Sequence, residues 1–221
     1  MIVAIHQPNH LPYLGFFDKM LNSDIFVIHD DAQFTDSEYI HRNKIRIHGG
    51  WKWITVPVFK EKMPINEIKI KNQTDKNAAA WNKVHFREIH ANYKKTPYYD
   101  TYSDELEKIY SKEYNLLIDL NMKIIEYLVE VFDIDVEIRY SSELKLESCS
   151  TEKLVEIVKA FGGDAYLAGA GGHNYMDESL FTDIKLVFQE YKHPSYKQRY
   201  PDFIPNMAAI DALFNLGGLP S

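Results

Sequence analysis

The chain has 221 residues, 45% of them hydrophobic and 26% charged, which is typical of a globular domain. Its formal net charge of −7 argues against general nucleic-acid binding, and no apolar run reaches the length of a membrane span. A single cysteine, Cys149, excludes an internal disulfide, and the first residues lack the features of a signal peptide. We therefore expect a cytoplasmic protein without a membrane span.

The first 30 residues predict a strand, a helix and a second strand. "MIVAI" is a continuous apolar run that suits a buried strand, and "LPYLGFFDKMLNS" is typical of a short helix. "DIFVIHDD" repeats the first pattern, since an apolar run again ends in histidine and acids. This succession indicates parallel strands with polar residues exposed at their carboxyl ends.

The middle of the chain predicts a hairpin followed by helices. "KIRIHGGWKWITVPVF" alternates like a β-hairpin with Gly49 and Gly50 as the turn, and "INEIKIKN" suggests another strand. A helix from Asp75 onward places four side chains on one face, namely Trp81, His85, Ile89 and Tyr93. His85 on that face is more typical of a hydrogen-bonded core histidine than of a ligand. "SDELEKIYSKEYNLLIDLNMKIIEYLVEVF" predicts a second long helical region with Ser103 as its amino-terminal cap.

The last third of the chain returns to alternating strands and helices. "VEIRYSS", "DAYLAG" and "IKLVFQEY" predict strands, and "STEKLVEIVKAFGG" predicts a helix that ends at Gly162 and Gly163. "NMAAIDALFNLGG" predicts a final helix with Gly217 as its cap. The expected fold is α/β, with a mostly parallel Rossmann-like sheet, a nucleotidyltransferase-like layout, a helical middle and a short hairpin. We expect a single α/β domain over residues 1–221, with residues 75–133 as a helical subdomain or insertion.

Four loops that follow predicted strands concentrate polar groups. They are "HQPNH", "HDDAQF" with the nearby "YIHRNKIR", "GAGGHNY" and "QEYKHPSYKQRY". In an open α/β sheet, ligands bind outside the carboxyl ends of the strands, so these loops predict one site. Metal binding would use ligands such as His6, His10, His29 and Asp30, but Pro8 interrupts the histidine spacing, and a metal-free site is favoured.

The first and third loops suggest nucleotide chemistry. A strand, a histidine loop and a helix resemble the layout of nucleotidyl-transferring enzymes, although the short histidine spacing with an intervening glycine is missing. "GAGG", residues 169–172, would cradle a phosphate with its backbone N–H groups, or would simply allow tight packing. It lacks the lysine of a P-loop and the spacing of a dinucleotide fingerprint.

The second and fourth loops carry cations among aromatic rings. Arg42, Lys44 and Arg46 alternate on one strand face, which would bind phosphate or carboxylate, or would only be solvated. "KHPSYKQRY" suits a phosphorylated or sugar-bearing small molecule, or single-stranded RNA, against which the overall acidity argues. His6 or His193 would be the natural proton carrier near neutrality.

Taken together these stretches resemble the WbqC-like protein family. The matching pieces run in order along the chain: "HQPNHLPYLGFFDKM", "DIFVIHDDAQFTDSEYIHRNKIRI", "WITVPV", "YLAGAGGHNYMDESLF" and "FQEYKHPSYKQRYPDFIPNMAAIDALFNLGG". The resemblance implies a bacterial or archaeal protein encoded among genes for O-antigen and other surface polysaccharides. It also implies a transferase of glycine or another amino-acyl group to a sugar.

The sequence and the resemblance support one working hypothesis. A small acyl or amino-acyl group passes to an amino sugar after nucleotide-dependent activation, in which ATP with Mg²⁺ would take part. A nucleotide or nucleotide-linked sugar is the expected partner. We predict catalytic roles for His6, His10 and His193, and substrate binding by Gln7, Asp30, Arg42, Asn43, Lys44, Gly169, Gly171, Gly172, Tyr175, Gln189, Lys192, Tyr196 and Gln198. The alternatives are nucleotidyl transfer to a sugar phosphate and a non-catalytic nucleotide-sugar-binding module.

Overall fold

The computed structural model describes residues 1–36, 39–72 and 79–220, and this part of the chain forms two compact units. The first unit comprises Met1–Gln7, Gly15–Ala32 and Ile134–Lys192. The second comprises Pro8–Leu14, Gln33–Asp133 and His193–Ser221. The single-domain prediction, with its helical subdomain, stays a prediction, and the expected helix start at Asp75 lies outside the described residues.

Seven strands and six α-helices make up the regular structure of the described residues. In chain order they are β1 (Ile2–His6), α1 (Leu14–Leu21), β2 (Ile25–Ile28), β3 (Arg42–Ile47), β4 (Gly50–Thr55), α2 (Trp81–Tyr93), α3 (Tyr99–Ser111), α4 (Leu117–Val131), β5 (Glu137–Tyr140), α5 (Ser150–Ala160), β6 (Ala165–Ala168), β7 (Lys185–Phe188) and α6 (Ile210–Leu216). Short 3-10 helices lie at Ile65–Glu67, Ser141–Leu144, Ala170–Asn174 and Glu178–Leu180. None of the described helices is long and apolar enough to cross a membrane.

The first unit is built on a five-stranded parallel sheet in the order β5-β2-β1-β6-β7. One sheet face packs against α5 through an apolar cluster that includes Val3, Val27 and Ile157. In α1, the buried ring of Phe16 contacts Phe26 of β2 with 5.0 Å between centroids. Short, continuously apolar strands are what a sheet covered on both faces requires. The predicted α/β class and parallel Rossmann-like sheet are confirmed.

The second unit contains the predicted hairpin. Strands β3 and β4 pair antiparallel from Arg42–Thr55 to Ile47–Gly50. The turn is His48–Gly49 rather than the predicted pair of glycines, because Gly50 already belongs to β4. Gly49 has a φ of 75°, a left-handed conformation that glycine adopts without a Cβ clash.

The helices of the second unit follow the predicted apolar faces, but their ends differ. Helix α2 buries the predicted face of Trp81, His85, Ile89 and Tyr93. The second helical region is two helices, α3 and α4, and Ser103 lies buried inside α3 rather than at its cap. The sequence predicted a cap because serine is a preferred residue at helix amino termini, but α3 begins four residues earlier, at Tyr99.

Two further predictions fall on short segments of the second unit. "INEIKIKN" does not form a strand, since a 3-10 helix at Ile65–Glu67 is followed only by isolated bridges at Lys69 and Ile70. The last helix ends as predicted at Gly217, whose φ is 83°. A left-handed residue after the last helical turn is the usual position for glycine.

Candidate functional site at the strand ends of the first unit

The first unit has a change of strand order between β1 and β6. From β1 the chain continues to β2 on one side, whereas β6 continues to β7 on the other. The pairing of β1 with β2 reaches His6–Ile28, but its pairing with β6 stops at Ala4–Leu167. Ligands of open α/β sheets bind at such a switch point, outside the carboxyl ends of the strands.

The predicted polar loops of the first unit lie at the carboxyl ends of its strands. Because all five strands are parallel, their carboxyl ends lie on one side of the sheet. The predicted residues that follow them directly are Gln7 after β1, Gly169 after β6 and Gln189 after β7, while Asp30 lies two residues beyond β2. The sequence therefore placed these residues correctly at the carboxyl ends of the strands, and their substrate-binding roles stay predictions.

His6 ends β1 and offers one free ring nitrogen. Its Nδ1 lies 2.9 Å from the Gln7 carbonyl oxygen, which only accepts, so Nδ1–H donates and Nε2 keeps its lone pair. No described residue hydrogen-bonds to Nε2. Burial, with the charge of Lys19, lowers the pKa of His6 to about 3. The ring is therefore neutral at pH 7, whereas the sequence favoured a histidine that titrates near neutrality.

Lys19 is a site residue that the sequence analysis missed. It projects from α1 with 2% of its surface exposed, and its Nζ donates to the Ile5 carbonyl oxygen at 2.8 Å. Burial lowers the pKa of the amine to about 7. The available signal was its position three residues after Phe16 and directly before Met20, which places it on the buried face of an amphipathic helix.

Asp30 joins the ends of β2 and β5. One carboxylate oxygen accepts hydrogen bonds from the Ser141 hydroxyl at 3.2 Å and the Ser142 backbone N–H at 3.0 Å. The other accepts from the Ser142 hydroxyl at 2.6 Å. These bonds show that Asp30 holds the loop after β5, and its predicted contact with substrate stays a prediction.

Asp31 forms a partly buried ion pair at the same edge. Lys153 of α5 donates to one oxygen at 2.7 Å, and His29 Nδ1 lies 3.3 Å from the other, which also accepts from Ser141. Desolvation alone would raise the pKa of Asp31, but the hydrogen bonds from His29, Lys153 and Ser141 outweigh it and hold the pKa well below its usual range. Asp31 is therefore ionised at pH 7.

The glycine-rich loop opens a 3-10 helix of only five residues, Ala170–Asn174. A Cβ at Gly172 would lie 2.6 Å from Met176 Cε and 3.1 Å from Phe188 Cε1, whereas a Cβ at Gly169 or Gly171 would meet open space. A side chain at Gly172 would therefore crowd its neighbours, whereas Gly169 and Gly171 leave the backbone open to a ligand. The phosphate cradle stays a prediction.

The remaining predicted residues of the first unit differ in exposure. Gln189 Nε2 donates to the Gly15 carbonyl oxygen at 2.8 Å and to Asp18 Oδ2 at 2.5 Å, which ties the end of β7 to α1. Tyr175 is 71% exposed, and Lys192 is also exposed. These two side chains are open to a solute.

His10 lies in the second unit and is completely buried. Its Nδ1 is 3.0 Å from Asn121 Oδ1, and its Nε2 is 3.1 Å from the Tyr110 hydroxyl. Both ring nitrogens are therefore engaged inside the unit. Burial, together with the nearby His85 ring, lowers the pKa of His10 to about 3. This environment favours a structural role for His10, and its catalytic role stays a prediction.

The hairpin of the second unit stacks cations on aromatic rings. The Arg42 guanidinium lies 4.6 Å from the Trp53 ring centroid, and Lys44 Nζ lies 4.5 Å from that of Trp51. Between them, Asn43 is buried and donates to the Leu11 carbonyl oxygen at 2.6 Å. Arg42 and Lys44 therefore present charge at a partly exposed aromatic surface, while Asn43 serves the fold.

Arg46, the third cation of the alternating run, is buried. Its guanidinium donates to Gln198 Oε1 and to four carbonyl oxygens, those of Ile47, Gly50, Pro201 and Asp202. Of the three alternating cations, only Arg42 and Lys44 are therefore still candidates for binding a phosphate or carboxylate. A fully hydrogen-bonded buried guanidinium has no donor left for a substrate phosphate.

The carboxy-terminal segment of the second unit centres on the buried carboxyl group of Asp211. Its Oδ2 accepts from the Tyr196 hydroxyl and from Gln198 Nε2, both at 2.8 Å. Desolvation raises the pKa of Asp211 despite these bonds. His193 stacks near Tyr196 with ring centroids 6.1 Å apart, and burial lowers its pKa. The predicted roles of His193, Tyr196 and Gln198 stay predictions.

The predicted site residues are therefore divided between the two units. The first holds His6, Gln7, Asp30, Gly169, Gly171, Gly172, Tyr175, Gln189 and Lys192, and the second holds His10, Arg42, Asn43, Lys44, His193, Tyr196 and Gln198. Across residues 1–36, 39–72 and 79–220, no group of three or more His, Cys, Asp or Glu side chains is placed to hold a metal ion.

Comparison with known proteins identifies a matching family. The family model described as the WbqC-like protein family matches residues 7–218. The chain is also 30% identical over 219 residues to an uncharacterized protein of Mycobacterium tuberculosis, Rv1507c, a match that covers 97% of this chain and 94% of the relative. No solved protein structure matches the chain.

Proposed function

Because the chain belongs to the WbqC-like protein family, we propose that it is a biosynthetic transferase of bacterial or archaeal surface polysaccharides such as O-antigens. It transfers a small acyl or amino-acyl group, such as glycine, to an amino sugar after nucleotide-dependent activation. The observation that carries the proposal is the neutral His6 ring at the strand-order switch, with Nε2 free of hydrogen-bond partners among the described residues. A base with an open nitrogen is able to take the proton that the sugar amine loses when the amide forms.

The reaction has two balanced steps. In the first, a carboxylate oxygen of the amino acid bonds to the α-phosphorus of ATP, and the bond to the bridging oxygen breaks as pyrophosphate leaves. In the second, the sugar amine bonds to the acyl carbon, and the bond from that carbon to the AMP oxygen breaks. The proton lost by the amine passes to His6 Nε2 and then to water.

The environment of His6 suits the second step. An imidazole that is neutral at pH 7 is able to accept a proton without first losing one. A pKa of about 3 makes His6 a weak base in the free protein, and the negative charge of the acyl-adenylate phosphate beside the ring raises that pKa toward neutrality when the ligand is bound. The nitrogen of the tetrahedral intermediate carries a positive charge and is far more acidic than a free ammonium group. Proton transfer to His6 is therefore brief, and the ring passes the proton on to solvent.

The test is a transfer assay with radiolabelled glycine, ATP and a nucleotide-linked amino sugar. The wild-type protein should form a glycyl sugar and release AMP and pyrophosphate in equal amounts. The His6→Asn variant should lose about a hundredfold or more of the transfer rate, the range expected for removing a general base. Circular dichroism and the unfolding midpoint establish that the variant is folded.

The control is His48→Asn. His48 is exposed in the hairpin turn, so this variant should retain the wild-type rate. Transfer that survives His6→Asn at the wild-type rate would exclude His6 as the base. Pyrophosphate release that needs a sugar phosphate but no amino acid would instead establish nucleotidyl transfer.

A binding module is the second candidate, and the hairpin of the second unit favours it. Arg42 and Lys44 against Trp53 and Trp51 combine positive charge with aromatic surface, as nucleotide-sugar ligands require. Such a module would quench tryptophan fluorescence when it binds a nucleotide sugar. The quenching would be lost in Lys44→Met and unaffected by His6→Asn, and no glycine would be transferred.

A further inference from the structure

We infer that Lys19 binds an oxyanion, a carboxylate or phosphate oxygen of the ligand, at the carboxyl ends of β1 and β6. The inference rests on the proposed function because it places the ligand at the same strand ends as His6. Lys19 was not among the predicted site residues. The inference deepens the proposed function by assigning the negatively charged part of the ligand to the Lys19 amine.

The position of the amine is the first support. The β1 ladder with β6 stops at Ala4–Leu167, so the next β1 carbonyl, that of Ile5, lies beyond the last registered pair. Lys19 Nζ donates to that carbonyl at 2.8 Å and lies 6.0 Å from the Tyr166 ring centroid of β6. The amine thus lies at the carboxyl ends of β1 and β6, where these two strands are no longer paired.

The missing counter-charge is the second support. Among the residues that the structure describes, Lys19 forms no ion pair with a carboxylate, and burial alone accounts for the lowered pKa of its amine. Titratable groups near it in the structure are His6 on β1 and Tyr166 on β6, and Asp18 precedes it on its own helix. His6 is neutral at pH 7, burial raises the pKa of Tyr166, and Asp18 accepts a hydrogen bond from Gln189.

An amine in this position is costly for the fold alone. A buried ammonium group without a partner is unfavourable, and a methionine would fill the same space without charge. The ammonium form has three N–H donors, and the described residues give it one acceptor, the Ile5 carbonyl oxygen. An oxyanion would accept the remaining hydrogen bonds and supply the missing charge.

The protonation of Lys19 gives the inference a direct readout. Burial lowers the pKa of the amine to about 7, so at about pH 8 most of the free protein carries it uncharged. A bound oxyanion favours the ammonium form and raises the pKa again. Binding at this pH should therefore take up close to one proton per ligand.

The experiment is isothermal titration calorimetry of the full chain with sodium sulfate and sodium acetate at about pH 8. Neither probe changes its own protonation at this pH, so any proton uptake belongs to the protein. Titrations in Tris and in HEPES, whose ionisation enthalpies differ, give the number of protons taken up. Sulfate represents a ligand phosphate and acetate represents a ligand carboxylate, and the tighter probe identifies which group Lys19 takes.

Three variants complete the design. Lys19→Met should weaken binding at least tenfold and abolish proton uptake. Lys19→Arg should bind without proton uptake, because the guanidinium is already charged, and it keeps the test valid if the methionine variant does not fold. Lys159→Met removes an exposed lysine at the end of α5 and should behave as wild type.

Two results would overturn the inference. One is the failure of both probes to bind, and the other is binding whose affinity and proton uptake do not change in Lys19→Met. The proposed function is judged separately by the glycine-transfer assay. Transfer without Lys19-dependent oxyanion binding would refute only the inference, and oxyanion binding without transfer would refute only the proposed reaction.

Discussion

His10 Nδ1 lies 3.0 Å from Asn121 Oδ1, across 111 positions of the chain and wholly inside the second unit. The Asn121 amide nitrogen donates to the carbonyl oxygens of Pro8 and Ile40, at 2.8 and 2.7 Å. Because that nitrogen is identified by its two acceptors, the amide oxygen must face His10. The imidazole therefore donates from Nδ1, and Nε2 accepts from the Tyr110 hydroxyl.

Asn121 should be one of the most sensitive positions of the second unit. Asn121→Leu removes three buried hydrogen bonds and leaves the partner groups of Pro8, His10 and Ile40 unsatisfied. We expect a loss of about 3 kcal/mol in the free energy of unfolding, measured by urea denaturation. Asn22→Leu, at an exposed position after α1, should change it by less than about 0.5 kcal/mol. Equal effects of the two substitutions would contradict the network.

The buried imidazole of His10 should make the fold sensitive to acid. Its pKa is about 3 in the folded protein and about 6.5 when unfolded, so between these values the unfolded state binds more protons. The stabilising effect is complete above pH 6.5 and is lost as the pH falls, at about 1.4 kcal/mol per pH unit.

Urea denaturation at several pH values between about 4 and 7 measures this slope. His10→Gln should reduce the slope by about one proton, whatever its effect on stability at pH 7. His48→Gln, which replaces an exposed histidine, should leave it unchanged. A slope that is the same in His10→Gln and in wild type would show that His10 does not titrate differently on folding.

Local patterns were sufficient to predict the sheet of the first unit. "MIVAI" and "DIFVIHDD" are apolar runs with polar ends, and the structure places them as β1 and β2 in a parallel sheet. The same rule located Gln189 and Gly169 at the carboxyl ends of their strands. These features depend on residues close together in the sequence, and local propensity is strongest there.

Long-range contacts explain why the environments of some site residues could not be predicted from the sequence. His10 and His6 are four residues apart and received the same prediction, but His10 is held by Asn121, and His6 keeps an open nitrogen. Lys19 was missed because a lysine is expected at the surface, and only the strand arrangement reveals its buried amine. The two serines that hold Asp30 follow a strand more than 100 positions away.

The ion pair of Asp31 with Lys153 should stabilise the first unit at neutral pH. Asp31→Asn leaves the partly buried Lys153 amine without its charge partner, and we expect a loss of about 2 kcal/mol in the free energy of unfolding. Because the pKa of Asp31 is lowered in the folded protein, its contribution is present above the unfolded value of about 4. It is lost as the pH falls below that value.

Urea denaturation of wild type and Asp31→Asn at about pH 7 and about pH 3 measures the difference. The gap between the two proteins should narrow at the lower pH. Asp183→Asn, in an exposed pair with Lys159 at 3.8 Å, should have little effect at either pH. A gap that stays constant would assign the effect of Asp31→Asn to packing instead of charge.

Alanine substitutions at Gly172 and Gly171 of the glycine-rich loop should differ in their effect on the free energy of unfolding. In Gly172→Ala the new Cβ would crowd the Phe188 ring and displace the flexible end of Met176, which should cost about 1 kcal/mol in the free energy of unfolding. In Gly171→Ala the Cβ enters open space, so stability should be unchanged or slightly higher. Urea denaturation measures both variants. Nucleotide binding should weaken in Gly171→Ala if its backbone approaches a phosphate closely, and equal losses of stability in the two variants would contradict the division.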